Sequence, residues 1–189
     1  MITPWGYEIE LPQGADFQPL ITETQFHYIT GNRFADNPSV SLTLAAASQA
    51  VRNYCGWHIA PNYTCKAKRP FASVISLPAL IVTHVTSVKV DGYSVAVPRW
   101  QRFGTIELQG SGCEVEVEYE AGLTGDPLLA QVVAQVASNS LAAPMGVKEE
   151  HAGNVGITYN ETGSGIAGGV TIMQRDRDML SAYKVQVSA

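Results

Sequence analysis

The sequence is short of charge. Asp, Glu, Lys and Arg make up 15% of its 189 residues, against 46% hydrophobic ones. A disordered chain has the opposite balance, so this composition excludes a solvated tail and supplies apolar material for a core. A surface with so few charges suits standing contacts between subunits. Basic clusters are missing too: 12 Lys and Arg stand against 17 Asp and Glu, for a net charge of −5. That excludes a basic grip on nucleic acid, but not a passage through which DNA slides, since like charges do not hold it. The three cysteines, Cys55, Cys65 and Cys113, are odd in number and widely spaced, which excludes a disulfide framework. No apolar run is long enough to span a bilayer, so no membrane partner is expected. Met1 to Leu20 has no basic segment leading into an apolar one. No signal peptide is therefore expected, and synthesis in a reducing cytosol leaves the sequons at Asn62 and Asn160 without meaning.

The length fits one domain, or one domain with a sizeable insertion. Residues 1–20 are rich in Pro, Gly and aromatics without a period, and read as an arm that is ordered only if it packs on something. Thr22 and Gln25 have capping-box spacing and Gly31 can stop the short helix they open. Asn37 and Pro38 then suit the cap and first position of a stronger helix. Along it Val40, Leu44, Ala47, Val51 and Tyr54 recur at helical spacing until Gly56. Its alanines, Ala45, Ala46, Ala47 and Ala50, predict close approach of another helix.

The period then changes. Tyr63, Cys65 and Ala67 alternate with Thr64, Lys66 and Lys68. Val88–Val90 and Tyr93–Val95 flank Asp91-Gly92, a strong two-residue hairpin signal. Ile106 and Leu108 suggest a further strand. Cys113, Val115, Val117 and Tyr119 alternate with Glu114, Glu116, Glu118 and Glu120. Asp126-Pro127 opens a second strong helix, with Leu129, Val132, Val133 and Val136 near one face and Pro144 as its bound. Its composition predicts packing against the first strong helix. A Gly-rich polar loop over residues 145–170 follows, with a candidate strand at Val155–Tyr159. Thr171 and Gln174 predict the cap of a last helix, with Met179, Leu180 and Tyr183 on its apolar side. The fold class is α+β. A small helical core of two to four helices (21–61 and 121–184) takes an inserted, mainly antiparallel β unit (62–120). A long loop and a tail at 185–189 complete a single domain over 21–189.

The residues that resemble chemistry have plainer readings. Gly163-Ser164-Gly165-Ile166-Ala167-Gly168 fits the dinucleotide pattern, but that pattern works only in a βαβ unit, and the sequence supplies no second parallel strand after it. Cys55 and His58 have half-site spacing for zinc, and Cys65 and Cys113 would complete the set. All three cysteines sit on apolar phases, where the thiol is a small hydrophobe. His27, His58, His84 and His151 lack local partners, and no Ser lies in a nucleophile elbow. Trp57 reads as a core plug at the helix–sheet junction. The four glutamates share one strand face. They are a solvated face paired with Lys66, Lys68 or Lys89, or a contact with a neighbouring subunit, or, least in keeping with identical solvated neighbours, an acid–base pair. No catalytic residue, metal or cofactor is expected.

Taken in order, the motifs form a series. Ala45-Ala46-Ala47-Ser48 leads through Val51-Arg52-Asn53-Tyr54 to Cys55-Gly56-Trp57-His58-Ile59-Ala60-Pro61. Val85–Gly92 and Val115–Gly122 follow, then Pro127. Gly146–Gly153 and Ile157–Tyr159 precede a helix ending at Leu180-Ser181-Ala182-Tyr183. This series, over roughly residues 22–185, resembles the head-to-tail connector (adaptor) proteins of long-tailed bacteriophages in forms with an inserted β unit. Residues 1–20 fall outside it. The resemblance implies a homo-oligomeric ring of about twelve copies beneath the portal protein, in the neck of the virion, assembled in the host cytoplasm. Such a ring extends the DNA channel, passes genomic DNA without reading its sequence, and docks a stopper or other neck or tail protein. The family's partner-contacting tail maps onto Lys184, Val185, Gln186, Val187, Ser188 and Ala189, where alternation suits an added strand. Its assembly loop maps onto Lys148, Glu149, Glu150, His151 and Tyr159, and Glu114, Glu116, Glu118 and Glu120 become candidate interface carboxylates. Alternatives are another neck or tail ring protein (a stopper or tail terminator, predominantly β) or a small-ligand-binding or catalytic domain.

Overall fold

The computed structural model describes residues 1–11, 17–142, 149–152, 155–158 and 169–185. Along the chain lie β1 (Glu8–Ile9), α1 (Glu23–Thr30), α2 (Val40–Cys55), β2 (Tyr63–Pro70), β3 (Val74–Ser76), β4 (Val82–Val90), β5 (Tyr93–Val95), β6 (Thr105–Glu107) and β7 (Glu114–Ala121). Then come α3 (Pro127–Ala142), β8 (Glu149–Ala152), β9 (Val155–Thr158), α4 (Gln174–Leu180) and a single 3-10 turn, Ser181–Tyr183. The fold is α+β, with four α-helices and a mainly antiparallel sheet. Two compact units divide the chain. One holds Met1–Phe17, Cys55–Thr124 and Tyr183–Ala189; the other holds Gln18–Tyr54 and Gly125–Ala182. The β unit therefore recruits the first residues of the chain and those after α4, beyond the 62–120 segment expected to form it.

In the β unit, β1-β2-β7-β4-β5 make one antiparallel sheet, and β3 and β6 make a second. The central pair β2–β7 sets Lys66 opposite Glu118 and Ala67 opposite Val117, so the alternation in both segments yields one charged and one apolar face. Cys65, Ala67, Val115, Val117 and Tyr119 are fully buried. Asp91 and Gly92 turn the β4–β5 hairpin with φ of 51° and 83°, as a two-residue turn of this hand requires. The arm packs: Tyr7 and Ile9 are buried, and Ile9 pairs with Cys65 on β2. One expectation fails at Cys113, which is exposed and precedes the strand. Its N–H and that of Glu114 donate to the Asp91 carboxylate, so a side chain takes the donors that a longer ladder would have used.

In the helical unit, caps form where the sequence provides them. Gln25 N–H donates to Thr22 Oγ1, and Thr22 N–H donates back to Gln25 Oε1 at 2.9 Å. Leu128 and Leu129 N–H both donate to Asp126 Oδ1, whereas α2 starts at Val40, later than Asn37-Pro38 suggests, with Asn37 Oδ1 accepting from Ser39 N–H in the turn before it. Leu129, Val132, Val133, Ala134, Val136 and Ala137 are buried, so α3 is apolar round most of its girth and runs as a central helix. Its closest helices are α1 and α4, where the sequence pointed to α2. Ala45 and Ala46, expected to face a helix, are exposed, and α2 buries Val40, Leu44, Ala47, Ser48 and Val51 instead. Tyr54 links α2 to α4 by donating to Arg177 O. The last helix starts later than Thr171 suggests. Met173 N–H donates to the Asp176 carboxylate, a stronger acceptor than a threonine hydroxyl, and that bond fixes the first turn. The backbone of β8 and β9 pairs as a hairpin within the segment read as a loop with one candidate strand.

Asp126→Ala removes the acceptor of two first-turn donors. It should lower stability by about 1 kcal/mol in urea unfolding, with Asp126→Ser or Asp126→Asn recovering most of the loss.

Candidate functional site

The Cys55–Pro61 segment, the centre of the motif series, is a junction in which nearly every residue has a structural task. Gly56, at φ 78°, ends α2. Trp57 is fully buried and its indole N–H donates to Tyr183 O at 2.7 Å, the core plug expected of it. His58 is fully buried as well. Its backbone N–H donates to the Tyr7 hydroxyl, which lies 2.8 Å from Nδ1, while Nε2 lies 2.8 Å from Ala121 O. A carbonyl only accepts, so Nε2 carries the ring proton; Nδ1 then accepts from the Tyr7 hydroxyl. Both ring nitrogens are thus engaged within the fold. Ile59 is buried at φ 65°, a region β-branched residues rarely enter, and its carbonyl accepts from Leu123 N–H at 2.7 Å. The Ala60–Pro61 bond is cis. At Gly122 a Cβ would collide with the Pro61 carbonyl, so only glycine admits this closeness.

Beyond the junction the chain leaves along unit-internal bonds. Val185 N–H donates to Cys55 O at 2.9 Å. Lys184 is exposed and Val185 is half-buried. Val185 is thus anchored at its backbone. The remaining tail residues, Gln186, Val187, Ser188 and Ala189, lie outside the described residues. So do Lys148, Tyr159 and the Gly163–Gly168 match. Glu149, Glu150 and His151 lie on β8, where only the backbone is described.

The glutamate row meets its cations across the sheet. Lys66 reaches Glu10 at 2.7 Å and Glu118 at 4.0 Å. Lys68 lies between Glu114 and Glu116 at 3.6 and 3.5 Å, and Lys89 reaches Glu116 at 3.1 Å. Glu120 accepts from Asn62. Lys66 is held above the ordinary lysine value by its hydrogen bond to Glu10 and by nearby carboxylates. Lys68 is raised by the charge of Glu114 and its bond to Glu116. Glu116 is lowered, chiefly by the Lys89 hydrogen bond, against partial desolvation. Glu114, Glu116 and Glu118 thus each meet a lysine and Glu120 meets an amide, an arrangement that suits a charged face. At the β1 side of this face a groove of about 300 Å³ is lined by Ile2, Gly6, Tyr7, Glu8, Lys66, Lys68 and Glu116.

The cysteines do not converge. Burial pushes the thiols of Cys55 and Cys65 up to about 12, with Lys184 partly offsetting the shift at Cys55. Among the described residues no three His, Cys, Asp or Glu side chains are grouped to hold a metal ion, and no helix is long and apolar enough to cross a membrane. The Tyr7–His58 bond, the buried Arg52 that donates to Gln18 O, and Ser48, which accepts from Leu20 N–H, were not readable from spacing. Each joins residues more than 25 positions apart; a histidine set between Trp57 and Ile59 was the one local hint. No family model matches the chain, and no curated protein matches it.

Tyr7→Phe keeps the ring and strands the His58 N–H and Nδ1. It should cost about 1–3 kcal/mol in urea unfolding. Loss within error of zero would mean that the hydroxyl is dispensable.

The lowered Glu116 sets a pH dependence. Its contribution is fully present above the ordinary value of 4.5 and is lost as pH falls through the lower folded value. Below pH 4.5, melting curves of Glu116→Gln should therefore fall less steeply than those of the parent chain; parallel decline would contradict the assignment.

Proposed function

We propose that this chain is a subunit of the head-to-tail connector (adaptor) ring of a long-tailed bacteriophage, seated between the portal protein and the next neck or tail protein. The reading makes it a virion component with no reaction to catalyse. Its work is geometric: copies stand side by side round an electronegative channel that passes the genome without retaining it. What supports the reading is the ordered motif series together with one structural observation. A helical unit is interrupted between Cys55 and Thr124 by a β unit whose two ends are joined through the Ile59–Leu123 bond. The four helices favour a connector over a stopper or tail terminator, which are expected to be predominantly β.

In this reading the residues after Val185 engage the portal by adding a strand, since unpaired backbone groups supply affinity. Val185 belongs to the anchor, because its N–H is bonded to Cys55 O. Deleting residues 186–189 should abolish co-sedimentation with the portal protein while circular dichroism and melting temperature stay unchanged. Full portal binding by the truncated chain would count against the proposal.

A further inference from the structure

Among the described residues the five-stranded sheet has two edges with no further strand beside them. At one, residues 1–3 run outside β1: Ile2 bridges Glu8, Thr3 N–H donates to Tyr7 O, and Ile9 N–H donates to Met1 O. Met1 and Thr3 turn their backbone groups inward, so alternation turns the N–H and C=O of Ile2 outward. At the other edge β5 pairs, among the described residues, with β4 alone. Val90 and Tyr93 flank the two-residue turn and exchange its hydrogen bonds, so the same alternation turns the N–H and C=O of Ser94 outward.

The two edges match on both faces. Ile2 stands on the charged face beside Glu8, and Ser94 stands on that face beside Lys89. On the apolar face Met1 is 64% exposed at one edge, while Tyr93 is 80% and Val95 41% exposed at the other. Charge runs across the sheet in columns: acidic Glu8 and Glu10, basic Lys66 and Lys68, acidic Glu114 to Glu120, then basic Lys89. Side-chain charge thus leans acidic toward the β1 edge, where the Met1 ammonium also sits, and basic toward the other through Lys89. Joining unlike edges continues the alternation, whereas joining like edges turns acid toward acid or base toward base. Open edges with exposed apolar side chains are aggregation sites unless something pairs with them.

We infer that a second copy of this chain sets its Ile2 edge against the Ser94 edge of the first, extending the sheet head to tail. Such a contact is heterologous, and repeated it closes into a ring or runs on as a filament. Closure rests on the ring reading above; the edge contact is tested on the chain alone. With one outward backbone pair on each side, association of the free chain is weak and depends on concentration.

The test uses the full chain with Cys113→Ser, which removes the exposed thiol and leaves Cys55 and Cys65 buried. An antiparallel Ile2–Ser94 pair puts Cα atoms about 5.5 Å apart, within disulfide range. Oxidised at high concentration, the Ile2→Cys/Ser94→Cys variant should give a ladder of covalent multimers on non-reducing gels, and each single variant should stay monomeric. Covalent dimer from Ser94→Cys alone, or no ladder from the double variant, overturns the inference. A ring on the portal without a ladder would remove the edge contact and leave the ring reading standing. A ladder from a chain that never binds portal would do the reverse.

Discussion

The hydrogen bonds of the buried His58 ring hold three separated parts of the chain at one point: Tyr7 ahead of β1, the segment after α2, and Ala121 at the end of β7. A polar ring removed from water costs free energy unless every donor and acceptor finds a partner. The site meets that demand only when all three parts are in place, so the bonds act together. Trp57 next to it adds a fourth part through Tyr183. The arm, the sheet and the segment after α4 therefore belong to one unit because they satisfy one junction. This also explains why a histidine with perfect access to neither solvent nor a nucleophile sits in the most distinctive stretch of the sequence.

The charged face works in another way. Its ion pairs are solvated, with side-chain exposures of 30–63%, and pairs of that kind add little to stability. Register is held from the other side of the sheet. A slip of one residue between β2 and β7 would send Glu116 and Glu118 to the side where Val115 and Val117 are fully buried. The repeating glutamates would accept the lysines in more than one alignment, so the buried face selects the one that forms. The columns these side chains form give the sheet a direction in side-chain charge, acidic toward β1 and basic toward β4.

The elements that local chemistry writes were legible in the sequence. Asp126-Pro127 opens a helix, Asn37-Pro38 makes the turn just ahead of one and Asp91-Gly92 turns a hairpin, because a cap or a turn needs only residues two or three apart. Periodicity gave the buried faces of α2, β2 and β7 for the same reason. Errors arose where a distant or stronger partner intervened. Asp91 took the Cys113 donor, Asp176 outcompeted Thr171 as a cap, and Ala45 and Ala46 turned to solvent while Ala47 went inside. The junction was visible as an unusual string, but Tyr7 lies 51 residues from His58, and no spacing rule connects them. The pairing of the arm with β2 was invisible for the same reason.

The bond from Leu123 N–H to Ile59 O brings together the places where the chain enters and leaves the β unit. Once those two points are pinned, the length of chain between them has little thermodynamic consequence, since each doubling of a closed loop costs only about 0.6 kcal/mol. The loops between the unit's strands can therefore lengthen or shorten at little entropic expense, while β2 and Ala121, which hold the arm and His58, must stay. The clasp at residues 59 and 123 separates the part of the segment that tolerates change from the part that does not.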